Sequence, residues 1–191
     1  MNRKKPACDW PMSRRDFVKA TATVVFTTAL APSLAQAAAA NRSAASVLVQ
    51  FEPGGRVTVA SGSQELGTGT YTIMAQVAAA TLNLRLELID AKFGNSTLPG
   101  SPVPGGSQMA ASLTPAVQAA ARQAQLKLLT AATRDTGSPV HGAQPDELEF
   151  KNSRIMRKGQ PESGESFNAF LARNGNTPLG AVVSAEPMLL G

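Results

Sequence analysis

The chain has 191 residues, 43% hydrophobic and 16% charged, which excludes a disordered acidic or basic tail and a coiled coil and suggests one domain, at most two. A single cysteine, Cys8, and a single histidine, His141, exclude an intramolecular disulfide framework, a cysteine metal cluster and a polyhistidine metal site. The net charge of +5 is concentrated at the start. Residues 1–37 carry six basic side chains against two acidic, which leaves 12 against 11 for the rest. A body so close to neutrality does not indicate capture of a nucleic acid.

Residues 1–37 read as an export leader. Ser13-Arg14-Arg15-Asp16-Phe17-Val18-Lys19 fits the twin-arginine pattern, a mildly apolar stretch follows from Ala20 to Leu34, and Ala35-Gln36-Ala37 supplies a small-x-small cleavage site. The apolar stretch is too short and too weak for a stable membrane span. A periplasmic location follows, and residues 38–45 are expected to be a linker.

The body begins with two β-rich runs, Ser46–Phe51 and Arg56–Ala60, around the turn Pro53-Gly54-Gly55. A polar, Gly-rich segment, Ser61–Gly69, leads to a helix from Thr70, with Tyr71, Met74, Val77, Ala78 and Leu82 on one face. Strand character returns from Leu84 to Phe93. A loop dense in Gly, Pro and Ser covers 94–109, a length at which a loop in a compact domain is commonly functional or disordered. A second helix is expected from about Pro115 to Arg134, with Thr114 as a hydroxyl cap and proline in the first turn. Its buried face is marked by Val117, Ala120, Ala121, Ala124, Leu128 and Ala131. A hairpin pairs Glu147–Phe150 with Arg154–Arg157, and Ser166 caps a short helix through Ala172, stopped by Asn174-Gly175-Asn176.

The pattern predicts an α+β fold, a two-layer sandwich with helices over one face of a mixed sheet in β-β-α-β-α-β order, over residues 46–175, with 176–191 as a tail. Few aromatics remain after the leader, so the core should be mostly Ala, Val, Leu and Ile. His141 and the cluster Lys151, Arg154, Arg157 and Lys158 read as solvated loop and edge positions.

Two segments carry the pattern of an anion site. Gln64–Gly69 joins a strand to a helix start, and Ala110–Pro115 opens the other helix. Glycine lets a ligand approach the backbone, and a helix start offers unpaired N–H groups and the positive end of the dipole. Two such starts could clamp a pyrophosphate from both sides. No Gly-Lys-Ser/Thr follows, so this is not a Walker loop, and Gly67-Thr68-Gly69 lacks the third glycine of the dinucleotide fingerprint. On spacing alone each start is equally read as an ordinary capped helix, and a cofactor-free α+β binding or structural module stays open.

The longer string Gln64–Thr72, followed by Ala75–Ala79, resembles the xanthine dehydrogenase/aldehyde oxidase family of molybdenum hydroxylases, in its large molybdopterin-binding subunit. The resemblance continues through Phe93–Ser96, Gly105-Gly106-Ser107, Ala110–Ser112 and Val117–Ala120 to Ser166-Phe167. It implies a molybdenum-cofactor-binding subdomain of an exported aldehyde or N-heterocycle oxidoreductase. The cofactor is molybdopterin, in that family often a cytosine dinucleotide. Leu66, Gly67, Thr68 and Gly69 would line one side, and Ala110, Ala111, Ser112 and Thr114 the other. The resemblance also implies partners: the other lobes of the molybdopterin subunit and an iron–sulfur subunit. The family's glycine-rich glutamate motif does not follow Gly180, so the chain is expected to be a truncated or internally deleted relative, or a non-functional gene fragment. It keeps part of the cradle and is not catalytic alone.

Overall fold

The computed structural model describes residues 44–104 and 108–186. The expected leader (1–37) and nearly all of the linker lie outside the described residues, as does Gly105-Gly106-Ser107.

Strand β1 (Ala45–Phe51) alternates buried and half-buried side chains, with Ala45, Val47, Val49 and Phe51 turned into the core. A turn through Gly54 and Gly55, both at positive φ, returns the chain as β2 (Val57–Ala60), antiparallel to β1 from Leu48↔Ala60 to Phe51↔Val57. Helix α1 (Thr70–Leu82) then crosses over to β3 (Ile89–Lys92), which runs parallel to β2. The expected strand from Leu84 is shorter than its sequence suggests, because Leu86–Leu88 forms a 3₁₀ turn first. Helix α2 (Met109–Arg134) spans 26 residues. It is followed by the hairpin β4 (Leu148–Lys151) and β5 (Arg154–Arg157), then β6 (Gln160–Ser166), α3 (Phe167–Arg173) and β7 (Leu179–Ala185). Ser166 caps α3 as expected, its hydroxyl accepting from the N–H of Ala169 at 3.1 Å.

The main sheet is mixed, in the order β3-β2-β1-β7, with α2 packed on β7 and β1 and α1 packed beside α2 and on β3. Val57, Met74, Val117, Ala121 and Leu128 are buried as expected, while Val77 is half-buried against the same core.

Two features correct the expected single sheet. Strands β4, β5 and β6 form a second, antiparallel sheet. Strand β6 has no apolar alternation to betray it. It is an exposed strand held by its backbone ladder, and Gly164 lets it run close to the Ile155 carbonyl and Met156. The segment expected to be a tail contains β7, which pairs with β1 from Ala45↔Ala185 to Phe51↔Leu179. Its small residues, Gly180, Ala181, Ser184 and Ala185, hide the strand signal. Gly180 is required, because a Cβ there would strike the Val49 carbonyl and Gln50.

The core is mostly Ala, Val, Leu and Ile, as expected, with one aromatic cluster set in it. Phe51, Phe150 and Phe167 meet at centroid distances of 5.4, 5.1 and 5.9 Å, joining β1 of one sheet to β4 of the other and to α3. No helix among the described residues is long and apolar enough to cross a membrane.

Candidate functional site

The segment after β2 is fixed before it reaches α1. Ser61 N–H donates to the Lys92 carbonyl at 3.1 Å, Gly62 N–H to the Pro99 carbonyl at 2.6 Å, and Gly94 N–H to the Ser63 carbonyl at 2.8 Å. From Gln64 the chain turns outward through Gly67 (φ 85°) and Gly69 (φ 76°), left-handed positions that glycine occupies without a Cβ penalty.

Within this turn Glu65 folds back on the start of α1. Its carboxylate accepts from the backbone N–H groups of Thr68 at 2.6 Å, Gly69 at 3.1 Å and Tyr71 at 3.2 Å. Desolvation pushes the Glu65 carboxyl up, but the backbone N–H groups of Tyr71, Thr68, Gly69 and Thr70 together outweigh it and hold it below the ordinary carboxylate range. The amides expected to meet a ligand anion at α1 are therefore satisfied by the chain's own carboxylate. Thr68, in the turn, and Thr70, at the start of α1, border the neighbouring space, and their hydroxyls lie 2.9 Å apart.

The second start differs. Helix α2 begins at Met109, not near Pro115, so Ala110, Ala111, Ser112 and Thr114 are helical and not part of a preceding loop. The proline-in-first-turn rule placed the boundary six residues late. Met109–Leu113 are tolerable or good helix formers, and Pro115 stands inside the helix at the cost of one hydrogen bond, to the Ala111 carbonyl. The first bond of the helix runs from Ser112 N–H to the Gln108 carbonyl at 3.0 Å, and Gln108 gives no side-chain cap. The amides of Met109, Ala110 and Ala111 thus have no partner inside the helix.

The two starts face one another. Thr68, Thr70 and Ile73 from one side and Met109 and Ala110 from the other line a cavity of about 150 Å³. The Ser63 hydroxyl donates to Met109 Sδ at 2.9 Å and ties the sides together. Of the residues expected from sequence, Thr68 and Ala110 line the cavity. Leu66 (64% exposed), Gly67 and Gly69 shape the outer turn, and Ala111 is exposed on the first turn of α2. Ser112 is buried, its Oγ without a hydrogen-bond partner among the described residues, and Thr114 is half-buried. Thr70, Ile73 and Met109 were not singled out from sequence, although Ile73 stands one helical turn beyond Thr70 and Met109 adjoins Ala110. Among the described residues no Lys or Arg lines the cavity.

A larger cleft of about 430 Å³ is lined by Ala131, Arg134, Asp135 and Phe170 among others. Ala131 stands 21 residues beyond Ala110, roughly 30 Å along α2 at 1.5 Å per residue, so this cleft is no part of the facing starts. Among the described residues no three His, Cys, Asp or Glu side chains are grouped to hold a metal.

Comparison with known proteins gives the arrangement its context. The chain is 36% identical over 107 residues to the aldehyde oxidoreductase molybdenum-binding subunit PaoC of Escherichia coli O157:H7, covering 56% of this chain and 13% of that one. It is 30% identical over 127 residues to the 6-hydroxypseudooxynicotine dehydrogenase complex subunit gamma of Paenarthrobacter nicotinovorans, covering 66% of this chain and 15% of that one. Among solved structures, the Cu,Mo-CO dehydrogenase matches with a TM-score of 0.62 at 25% identity over 74% of this chain and 18% of that one. Quinoline 2-oxidoreductase from Pseudomonas putida 86 shares the fold with a TM-score of 0.56 at 20% identity over 76% of this chain and 19% of that one. The chain therefore spans less than a fifth of the length of each of these relatives. A family model, the molybdopterin cofactor-binding domain, matches residues 6–185 and takes in every described element from β1 to β7. With that match along nearly its whole length, the chain belongs to the molybdopterin cofactor-binding domain family and represents part of such a domain.

Proposed function

We propose that the facing starts of α1 and α2 hold the phosphate end of a molybdopterin cofactor, as part of the molybdenum-binding component of an aldehyde or N-heterocycle oxidoreductase. The observation that carries this reading is the shared cavity, with the hydroxyl-bearing residues Thr68 and Thr70 on one wall and, on the other, a helix start without a side-chain cap among the described residues. Its size sets the fit. Pockets that take whole small ligands are roughly 300–1,000 Å³, so about 150 Å³ suits a phosphoryl group and not an entire pterin. Ala110 and Ala111 would offer amides, Thr68 and Thr70 hydroxyls, and the α2 dipole favours the anion without a Lys or Arg. When bound, the cofactor supplies redox-active molybdenum; the residues of this chain hold and orient its phosphate. The remaining cofactor contacts and the group that activates water for hydroxylation are assigned to polypeptide beyond these residues. Electron acceptors of the iron–sulfur type fall to a partner subunit, since Cys8 is the only cysteine in the sequence.

The test is Ala110→Asp in the full chain. An acidic residue in the first turn supports the helix, so folding is retained while negative charge is set on the cavity wall. Retention of pterin and molybdenum on purification, and calorimetric binding of inorganic pyrophosphate, should both fall at least ~10-fold, in keeping with charge–charge effects of a kcal/mol or more at short range. Lys158→Ala, on the β5–β6 turn, should leave both unchanged. Undiminished binding by Ala110→Asp would favour the cofactor-free module instead.

The same proposal includes export to the periplasm by the twin-arginine route, supported by Arg14-Arg15 ahead of a weak apolar stretch. Replacing both arginines with lysine should leave unprocessed precursor in the cytoplasm. Unchanged processing of that double variant would remove this part of the reading.

A further inference from the structure

We propose that Glu65 is a positioning residue of the cradle: its carboxylate stands in for a ligand anion at the start of α1, closes the 66–69 turn, and so turns the Thr68 and Thr70 hydroxyls onto the cavity. The inference rests on the proposed phosphate site only for what the hydroxyls are aimed at.

The geometry assigns the two helix starts different tasks. A helix start presents several N–H groups with no intrahelical partner, and a carboxylate or a phosphate satisfies them equally well. At α1 one side chain does so three times, from Thr68, Gly69 and Tyr71, reaching from three to six residues upstream. Gly67 and Gly69 at positive φ give the turn the curvature that brings Glu65 back over its own successors. Neither glycine has a neighbour within 4 Å of where a Cβ would stand, so their role is conformational and not one of close packing. With the turn closed, Thr68 Oγ1 lies 3.4 Å from Glu65 Oε1 and 2.9 Å from Thr70 Oγ1, a chain of hydroxyls running from the carboxylate to the buried Thr70 on the cavity wall. Among the described residues no equivalent side chain caps α2. A phosphate entering the cavity therefore meets amides from α2 and hydroxyls from α1. It is kept off the α1 amides by the charge already there.

The test follows backbone amide signals and amide hydrogen exchange in the full chain, with inorganic phosphate as the probe. In the wild type, the amides of Thr68, Gly69 and Tyr71 should be protected and should not respond to phosphate. In Glu65→Ala, the same three should exchange at least tenfold faster and should shift on adding phosphate, which now takes the vacated place; acetate should restore part of their protection. Glu65→Gln keeps an acceptor oxygen without the charge. It should retain intermediate protection with little phosphate response, a pattern that loss of folding cannot produce. Phosphate-dependent shifts at Thr68, Gly69 and Tyr71 in the wild type would overturn the inference. So would unchanged protection in Glu65→Ala, or loop amides in that variant that ignore phosphate. The amides of Ala110 and Ala111 report separately on the phosphate site, so failure there counts against the proposed function while the Glu65 signals stand or fall by themselves.

Discussion

Where α2 gives way to the following loop, the Asp135 carboxylate accepts from the Asn174 side-chain amide at 3.0 Å, the Gly137 N–H at 2.9 Å and the Arg173 guanidinium at 2.7 Å. The same guanidinium reaches Glu165 at 2.7 Å, so one cation ties α2 to β6 and α3. The hydrogen bond from Asn174, then those from Gly137 and Arg173, hold the Asp135 carboxyl at about 2, below its ordinary value of 3.8. A depressed carboxyl contributes stability above its unfolded value and loses that contribution as pH falls through its folded one. Urea midpoints of the wild type and Asp135→Asn should therefore differ most at pH 5, converge as the pH falls from about 4, and meet only below about 2. A gap that stays constant from pH 5 to pH 2 would show that the Asp135 charge does not contribute. Apart from the local bond from Gly137, this network was not visible in the sequence, because Asp135, Glu165, Arg173 and Asn174 are drawn from distant segments that meet only in the folded chain. Glu65 is the opposite case. Its partners lie within six residues, and the glycines that bend the turn are visible in the sequence, yet its capping role could not be separated from a ligand-facing one until the direction of the carboxylate was known.

Helix α2, which borders the cavity, shows why element boundaries are harder to read than element identities. The periodic residues Val117, Ala120, Ala121, Ala124 and Leu128 mark α2 correctly and are buried, because the 3.6-residue repeat is a property of the whole helix. Its start is not. Pro115 satisfies a first-turn rule at one position and is tolerated at another, and only tertiary packing of the buried Met109 and Leu113 extends the helix upstream. Replacing Pro115 with Ala restores a donor for the Ala111 carbonyl. The interior proline penalty of about 3 kcal/mol is offset in part by the stiffer unfolded chain that proline gives, worth about 0.4–1 kcal/mol. Chemical denaturation should accordingly show Pro115→Ala to be more stable than the wild type, by about 2 kcal/mol. A destabilised variant would mean that the six residues before Pro115 form a separate turn and not the first part of a continuous helix. Strands β6 and β7 were invisible for a related reason. Strand β6 is almost wholly polar, and β7 mixes its Leu and Val with Gly, Ala and Ser, so neither shows the apolar alternation by which β1 and β2 are recognised.

At the scale of the molecule, the question is what makes two sheets one unit. The segment leaving β2 of the four-stranded sheet leads to the cavity between the two helix starts, and no residue of the three-stranded sheet lines it. They meet at the edge-to-face contact of Phe51 in β1 with Phe150 in β4, with Phe167 of α3 against both. All three rings are at most 5% exposed. Truncating such a ring typically costs about 3–5 kcal/mol, from lost transfer energy and the cavity left behind, and edge-to-face pairs add about 0.5–1.5 kcal/mol each. Phe150→Ala should thus lower stability by at least ~3 kcal/mol. Because the ring joins its own sheet to Phe51 of the other, amide protection should fall in β1 and β2 as well as in β4 and β5. Leu66→Ala, on the exposed outer turn, should change stability by no more than about 0.5 kcal/mol. The informative outcome is the distribution of the loss. If Phe150→Ala releases β4–β6 while β1 and β2 keep their protection, the smaller sheet is an attachment, and the cradle depends on the main sheet alone. If protection is lost throughout, positioning the two helix starts requires the whole unit.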